Sequence, residues 1–296
     1  MSSVSQAITV SESSHGAPAF LSRIRLSQIR LCSSFLTVLG RRPAGRRLMV
    51  RLRSWPAIRL LLDSCLGFRK TFDSFEAAQA CASGYIQAGH EHPDELDYHL
   101  SVSNTLRESD YPVLFHLTPL AGTVHRVFDL GGNIGNLFYS YEKQLSFPAD
   151  LAWLIYDLPA QIALGQRIAA ERGRSCLDFV QNLAAGQGSD VFISSGSLHY
   201  FAQPLDELLG SLGTLPTHVF VNRTPCSNGD DLITVQDNGT YLAPCKLHSR
   251  SKLLGGMETL GYRLIAQWPV HELKLWVPTH PDLSPACYSG FYFRRD

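Results

Sequence analysis

The residues best suited to chemistry in this chain are a strand-ending acid and the glycine-rich turn that follows it. In VFDLGGNIGN (127–136), an apolar strand runs into Asp129. A strand, a tight turn and a helix start place backbone N–H groups at the carboxyl end of a sheet, where they can hold a polar ligand. Glycine allows close approach to the backbone, although such turns also occur with no ligand. We expect a cofactor site here, formed by Asp129, Gly131, Gly132, Asn133 and Gly135.

The spacing of the glycines separates two kinds of cofactor. The dinucleotide fingerprint GxGxxG, counted from Gly131, requires glycine at two positions where the chain has Asn133 and Asn136. A nicotinamide dinucleotide is therefore a poor fit. An acid followed by Gly-Gly-x-x-Gly is instead similar to the first motif of class I methyltransferases, and this resemblance implies that the turn passes under the amino-acid portion of S-adenosyl-L-methionine. Asn133 replaces a glycine common in that motif, but asparagine tolerates left-handed backbone angles better than most residues.

A second acid ends the next apolar strand. Asp157 closes AWLIYD (152–157), 28 positions after Asp129. A carboxylate at this strand end can accept hydrogen bonds from both ribose hydroxyls of a nucleoside. The alternative is an N-cap for a helix that begins at Pro159, and the two roles can coexist. After the third strand, the segment Gln181-Asn182-Leu183 lies where class I enzymes often contact adenine, and we expect Asn182 to contact the cofactor.

The fourth strand and its exit, DVFISSGSLHYF (190–201), carry side chains for both ends of the site. We expect Ser195 to contact the cofactor and Tyr200 to contact the methyl acceptor. His199 is the candidate general base, since neutral imidazole is available near pH 7; the alternative is a structural histidine. A serine-hydrolase elbow, GxSxG, would need glycines two residues on either side of Ser195, and the chain has Ile193 and Ser197 there.

The fifth strand, HVFVNRTP (218–225), delivers Arg223 to the same rim. Its guanidinium could hold an anionic group of the acceptor. It could equally pair with a carboxylate of the protein itself. The sequence leaves these two roles open.

These residues need a sheet whose strands end at one edge. Short apolar runs alternate with helical stretches, which predicts strands near 125–130, 152–157, 177–180, 190–195, 217–222, 262–268 and 288–294. The last two have only a proline-rich loop between them and should pair antiparallel. We predict helices at 72–89, 95–107, 206–212 and 250–260, and a mostly buried segment at 111–120. The predicted fold is α/β, a Rossmann-like doubly wound seven-stranded sheet with a C-terminal antiparallel strand pair, preceded by a helical N-terminal region.

The N-terminal part differs in composition from the rest. Residues 1–60 hold ten arginines and one acid, Glu12, so a helix there would be basic and amphipathic. Such a segment can lie on an anionic membrane surface as a peripheral contact. It could also pack on the main domain, extend from it with little role, or act as an organelle transit peptide. We divide the chain into a disordered leader (1–19), a basic amphipathic helical segment (20–62), a helical region leading into the core (63–120) and a catalytic domain (121–296).

Several classes of protein fit the composition poorly. No apolar run approaches the length of a membrane-spanning helix, and the acidic main body gives no general reason to expect nucleic acid as a partner. The seven cysteines are scattered without a CxxC pair, which indicates reduced thiols. We expect no metal site; the one local cluster, His90-Glu91-His92, is better read as a solvated turn.

The motifs in their combined order resemble one family. From about residue 70 to 296 the chain is similar to bacterial methyltransferases often associated with surface-polysaccharide biosynthesis, through FDLGGNIGN, WLIYDLP, ISSGSLHYF, VFVNRTP, LGYRLIAQW and YSGFYFR. The resemblance implies a cytoplasmic enzyme that uses S-adenosyl-L-methionine to O-methylate a sugar hydroxyl. Two alternatives stay open: a nicotinamide-dependent oxidoreductase on a similar sheet, and a non-catalytic module that keeps the cofactor pocket.

Overall fold

The computed structural model describes residues 31, 35, 38–39, 42–52, 55–58, 67–83, 105–237, 242–277, 280–285 and 287–296. The predicted leader, most of the predicted helix at 95–107 and the His90-Glu91-His92 cluster lie outside these residues.

The described elements alternate between helix and strand over most of the chain. In order they are α1 (Pro43–Leu52), β1 (Gly67–Phe72), α2 (Phe75–Ser83), α3 (Asp110–Leu117), β2 (Arg126–Leu130), α4 (Asn136–Tyr141), β3 (Ala152–Tyr156), α5 (Pro159–Glu171), β4 (Leu177–Val180), β5 (Val191–Ser195), α6 (Leu205–Gly210), β6 (His218–Thr224), β7 (Cys226–Ser227), β8 (Leu232–Asp237), β9 (Leu242–Ser249), α7 (Arg250–Thr259), β10 (Tyr262–Val270) and β11 (Tyr288–Arg295). Two short 3₁₀ helices, Leu183–Gly186 and Leu198–Tyr200, follow β4 and β5.

The main sheet has seven strands in the order β4-β3-β2-β5-β6-β11-β10. The first five are parallel, and β11 runs antiparallel to both β6 and β10. This confirms the predicted doubly wound, Rossmann-like sheet and its C-terminal antiparallel pair. The order reverses direction beside β2, so the switch point lies between β2 and β5, where the connections leave a crevice at the carboxyl ends of the strands.

The parallel strands form because they are almost wholly apolar. Val127, Phe128, Phe192 and Ile193 are completely buried, and helices cover both faces of the sheet in two apolar clusters. A strand buried on both faces reads as a continuous apolar run, which is what the sequence shows. Polar side chains therefore gather where these strands end.

A second sheet, in the order β1-β8-β9-β7, is absent from the sequence prediction. β1 falls in the region predicted to be helical and pairs antiparallel with β8, which lies far along the chain. β8 and β9 form an antiparallel pair in the connection between β6 and α7. This sheet stands beside the exit of β5, where it contributes a wall to the crevice.

Several helices agree with the sequence within the described residues. α2 lies inside the stretch predicted at 72–89, and the Ser74 hydroxyl accepts a hydrogen bond from Ala77 N at 3.1 Å. The segment at 111–120 overlaps the helix α3, but the prediction that it is mostly buried is wrong: Tyr111 and Phe115 are exposed, and burial is confined to the face with Val113, Leu114 and Leu117. Of the described residues, none belongs to a helix with the length and apolar content needed to cross a membrane.

Candidate functional site

A cavity of about 910 Å³ opens at the carboxyl ends of β2, β3, β5 and β6. Its volume lies in the range of small-molecule sites. Asp129, Asp157 and Arg223 line the cavity, as do His199 and Tyr200, whose contacts with each other and with Gln236 and Tyr288 define what we call the far end. The fold thus brings together at one cavity most of the residues singled out from the sequence.

The glycine turn between β2 and α4 has the backbone that its sequence requires. Gly131 has φ 69° and Asn133 has φ 56°, both left-handed. A Cβ at Gly131 would lie 2.3 Å from the Ser197 Cβ, and one at Gly132 would lie 2.5 Å from an Asp129 carboxylate oxygen. Neither position has room for a larger residue, and asparagine is tolerated at 133 because it adopts left-handed angles.

Gly135, the last residue of the predicted set in this turn, is buried. Its φ is 94°, and it precedes α4 as the N-cap residue. Side chains of Ile155, Leu177 and Tyr139 surround it, each 3.3 Å from where a Cβ would lie. Gly135 is not among the residues that line the cavity. Its place indicates a role in packing the turn against the sheet.

Asp129 is a buried carboxyl at the floor of the cavity. Its residue is 1% exposed, and burial raises its pKa to about 7; the Trp153 indole N–H, 3.2 Å from Oδ2, lowers the pKa, and the nearby Asp157 raises it. Among the described residues, no group donates a hydrogen bond to the other oxygen, Oδ1. A buried acceptor with this environment is suited to a ligand that brings a positive charge or a hydrogen-bond donor.

Asp157 ties the end of β3 to the glycine turn. Its Oδ2 accepts a hydrogen bond from Asn133 N at 2.7 Å, and its Oδ1 accepts one from Leu158 N at 2.7 Å. The N-cap position of α5 belongs to Leu158 rather than to Asp157. Asp157 also lines the cavity, where its carboxylate is an acceptor group.

The two side chains that follow β4, Gln181 and Asn182, have different environments. Asn182 is exposed and does not line the cavity; its side-chain oxygen accepts a hydrogen bond from Ala184 N at 2.9 Å and caps the 3₁₀ helix. Of the segment predicted at the adenine position, Gln181 lines the cavity. The N-cap role of Asn182 could be predicted from its position after a strand, because asparagine is a preferred N-cap residue. The direction of the Gln181 side chain depends on the tertiary structure.

The far end of the cavity is formed by aromatic and amide side chains. The His199 ring is buried, with its centroid 4.1 Å from that of Tyr200. The Tyr200 hydroxyl donates a hydrogen bond to Gln236 Oε1 at 2.6 Å. Gln236, Leu273 and Tyr288 also line this end and were missed from the sequence. The strand β8, which carries Gln236, contains the β-branched residues Ile, Thr and Val, and it could have been predicted from that content.

Arg223 lies within a network of internal partners. Its Nη2 is 2.9 Å from Asp110 Oδ1, its Nε donates to Ser109 Oγ at 2.8 Å, and its Nη1 donates to Ser195 Oγ at 3.2 Å. Glu272 approaches Nε at 3.7 Å and accepts a hydrogen bond from the Ser109 hydroxyl. The Arg223 side chain is only 5% exposed. Of the two roles left open by the sequence, the structure shows the pairing with a carboxylate of the protein.

The described residues contain no group of three or more His, Cys, Asp or Glu side chains that could hold a metal ion. The five described cysteines, Cys81, Cys176, Cys226, Cys245 and Cys287, are free thiols.

Comparisons with known proteins give similarities of fold alone. No protein-family model matches the chain, and no curated protein matches it. The magnesium protoporphyrin IX methyltransferase of Synechocystis PCC 6803, solved with S-adenosylhomocysteine, is 15% identical, covers 75% of this chain and 94% of its own, and has a TM-score of 0.43. The 1,6-didemethyltoxoflavin-N1-methyltransferase of Burkholderia thailandensis is 17% identical over 71% and 91% of the two chains, with a TM-score of 0.42. An S-adenosylmethionine-dependent methyltransferase from Clostridium acetobutylicum is 7% identical over 63% and 90%, with a TM-score of 0.45.

Proposed function

We propose that the protein is an S-adenosyl-L-methionine-dependent methyltransferase. The observation that carries this proposal is Asp129, a buried carboxyl whose Oδ1 has no donor among the described residues and which faces a cavity beneath a glycine turn. S-adenosylmethionine carries an ammonium group and a sulfonium, so it brings positive charge to such a site. A dinucleotide would bring a pyrophosphate to the glycine turn beside the Asp129 carboxylate, and this repulsion disfavours the oxidoreductase alternative.

The residues at the cofactor end fit the parts of this molecule. Asp129 would accept a hydrogen bond from the ammonium group, and the ionised carboxylate would be stabilised by that charge. Asp157, Gly131, Gly132 and Asn133 would hold the ribose and the amino-acid portion. When bound, S-adenosylmethionine would supply a methyl group attached to a positively charged sulfur. That sulfur is the leaving group when an acceptor atom takes the methyl. The chain itself would orient the two reactants and exclude water, which accounts for much of the rate in reactions of this kind.

We infer that the acceptor is a hydroxyl compound, and specifically a sugar hydroxyl in polysaccharide or glycoconjugate biosynthesis. The sugar assignment rests on the family resemblance of the sequence motifs. Support for a hydroxylated acceptor comes from the far end of the cavity, where polar atoms of Tyr200, Gln236 and His199 lie beside aromatic rings. His199 would take the proton of the acceptor hydroxyl, and Tyr200 would position that hydroxyl.

A reducing compartment is part of the proposal. The described cysteines are all free thiols, which supports a cytoplasmic location. The alternative of a non-catalytic module would keep the cofactor end of the cavity but lack turnover.

Binding of S-adenosylhomocysteine, measured by titration calorimetry, tests the proposal. Asp157→Ala should weaken binding by roughly 1–3 kcal/mol, because a carboxylate that pairs with ribose is removed. Asp178→Ala is the matched control, since it removes an exposed carboxylate from the next strand, β4, and should leave the affinity unchanged. Circular dichroism of both variants separates lost binding from lost folding.

Two outcomes contradict the proposal. Heat from a nicotinamide dinucleotide with none from S-adenosylhomocysteine would favour the oxidoreductase. Binding of S-adenosylhomocysteine without transfer of a labelled methyl group to any glycan or small hydroxyl acceptor would favour the non-catalytic module.

A further inference from the structure

A set of large apolar side chains is exposed near the N-terminus. Among the described residues, five of the ten exposed large apolar side chains lie between positions 31 and 55: Leu31, Phe35, Val38, Leu48 and Trp55. Their exposed fractions run from 47% to 77%. We call this set the N-terminal apolar surface. Exposed apolar side chains that follow one another this closely along the chain can form a contact with another surface.

The helix α1 packs one face against the protein and leaves Leu48 exposed on another. Met49, on one face of α1, is 3% exposed and packs against Leu39, Ile58 and Trp276, the last of which belongs to the segment after β10. A Cβ at Gly45, on the same face, would lie 2.1 Å from the Leu39 carbonyl oxygen, so the chain is in close contact there. One face of α1 is therefore already covered by the protein.

The outward side of α1 combines apolar and basic residues. Leu48 is 47% exposed and Arg47 beside it is also exposed. Before α1, Leu31, Phe35 and Val38 are helical and exposed. Their sequence spacing of four and three residues is the spacing typical of one face of an amphipathic helix. Trp55, after α1, is 63% exposed. Tryptophan with an exposed ring is typical of the boundary between a lipid bilayer and water.

The charge of this region selects one kind of partner. Residues 31–55 contain six arginines and no acid, while residues 61–296 hold sixteen basic and twenty-five acidic side chains. A surface that is apolar and positive, attached to a body that is negative, is complementary to an anionic bilayer, and the body would be repelled from the same lipid. A nucleic acid would match the arginines but would leave the leucine, phenylalanine and tryptophan side chains without a partner.

We propose that residues 31–55 dock the protein peripherally onto an anionic lipid bilayer, with the N-terminal apolar surface inserted at the headgroup level and the arginines paired with lipid phosphates. This contact is independent of the proposed methyl transfer. It would hold the cavity near acceptors that are themselves attached to a membrane.

Sedimentation of the full chain with vesicles tests the docking. Vesicles of phosphatidylcholine with added phosphatidylglycerol should carry the protein down, those of phosphatidylcholine alone should carry down much less, and salt should weaken the difference. The variant Arg42→Gln/Arg47→Gln should weaken binding by on the order of tenfold or more. Its matched control, Arg263→Gln/Arg294→Gln, removes two exposed arginines from the main domain and should bind as wild type.

The apolar side of the surface needs its own pair of variants. Leu48→Ser/Trp55→Ser should weaken vesicle binding by on the order of tenfold, because apolar area no longer leaves water. Phe115→Ser is the control, since its ring is 73% exposed on α3 and has no place in the proposed surface. Equal sedimentation with both kinds of vesicle overturns the proposal. The proposal is also overturned if the arginine variant loses vesicle binding while Leu48→Ser/Trp55→Ser binds as wild type, because the region would then recognise polyanions rather than a bilayer.

Discussion

Replacing Asp129 with asparagine tests the central feature of the site, because it removes a charge from a buried position and leaves its shape almost unchanged. The carboxyl is 1% exposed, and Trp153 donates a hydrogen bond to its Oδ2 at 3.2 Å. The asparagine oxygen can take the place of Oδ2 and keep that bond. Its amide nitrogen then occupies the place of Oδ1, where no described residue provides a partner.

The size of the effect follows from the pKa. Burial raises the pKa of Asp129 to about 7. The native state therefore keeps the proton to a higher pH than the unfolded state, and the stability contributed by this group falls as the pH rises from about 4 to about 7, then stays constant. A shift of roughly three pH units at about 1.4 kcal/mol each gives a destabilisation on the order of 4 kcal/mol above pH 7.

Asparagine avoids that destabilisation but buries an amide group without a partner, which costs roughly 1–3 kcal/mol. We therefore expect Asp129→Asn to stabilise the ligand-free protein by roughly 1–3 kcal/mol at pH 8. At pH 5.5 the gain should be smaller by about 2 kcal/mol, since part of the wild-type carboxyl penalty is absent there. The same variant should bind S-adenosylhomocysteine more weakly, by roughly 1.5–3 kcal/mol, because the ammonium group loses a charged acceptor.

Urea unfolding at the two pH values and titration calorimetry with S-adenosylhomocysteine measure both effects. Asp178→Asn, at an exposed position, is the control for both experiments. A gain in stability that is equal at pH 5.5 and pH 8 would refute the reasoning about the buried charge. Unchanged affinity for S-adenosylhomocysteine would remove Asp129 from the cofactor site while leaving the stability argument intact.

Three further substitutions address the rest of the cavity. Arg223→Met leaves a buried carboxylate without its ion pair, and thermal or urea unfolding should show a loss of roughly 3–5 kcal/mol; a stable variant would mean that the pair contributes little. Gly132→Ala places a Cβ 2.5 Å from the Asp129 carboxylate and should destabilise the protein by roughly 1–3 kcal/mol, whereas Gly122→Ala, with nothing within 4 Å, should be neutral in the same unfolding assay. Tyr200→Phe should raise the KM for the acceptor by about fivefold with unchanged affinity for S-adenosylhomocysteine, and an equal loss of cofactor affinity would place Tyr200 at the wrong end of the cavity.

The main sheet could be predicted because its strands carry their signal locally. A parallel strand that is buried on both faces must be apolar along its length, as in the runs that end at Asp129 and Asp157. The second sheet lacked such a signal. β1 pairs with β8 across most of the main domain's sequence, so its existence depends on a partner that the local pattern does not contain. β8 has β-branched residues at three of its six positions. No strand was predicted from the sequence in the connection that contains it.

The proposed cofactor end of the cavity could be predicted for a related reason. The carboxyl ends of parallel strands meet at one edge, so the order of motifs alone places Asp129, Asp157 and Ser195 together. Residues at the acceptor end come from elements outside that pattern. Gln236 lies in the second sheet, and Tyr288 opens the final strand after a loop, so only the three-dimensional structure brings them to His199 and Tyr200.

The carboxylates around Arg223 favour an uncharged acceptor over an anionic one. Its guanidinium is buried and already paired with Asp110 at 2.9 Å, and a second carboxylate, from Glu272, lies 3.7 Å away. An anionic acceptor would have to approach these carboxylates and displace one of them. The backbone at Arg223 is also left-handed, with φ 53°, a conformation that a long side chain adopts only when surrounding contacts hold it. The buried contacts to Asp110, Ser109 and Ser195 provide that hold, so Arg223 is better suited to fixing the cavity wall than to binding a charged group. An acceptor that meets this wall should be uncharged there, which agrees with the proposed transfer to a neutral hydroxyl.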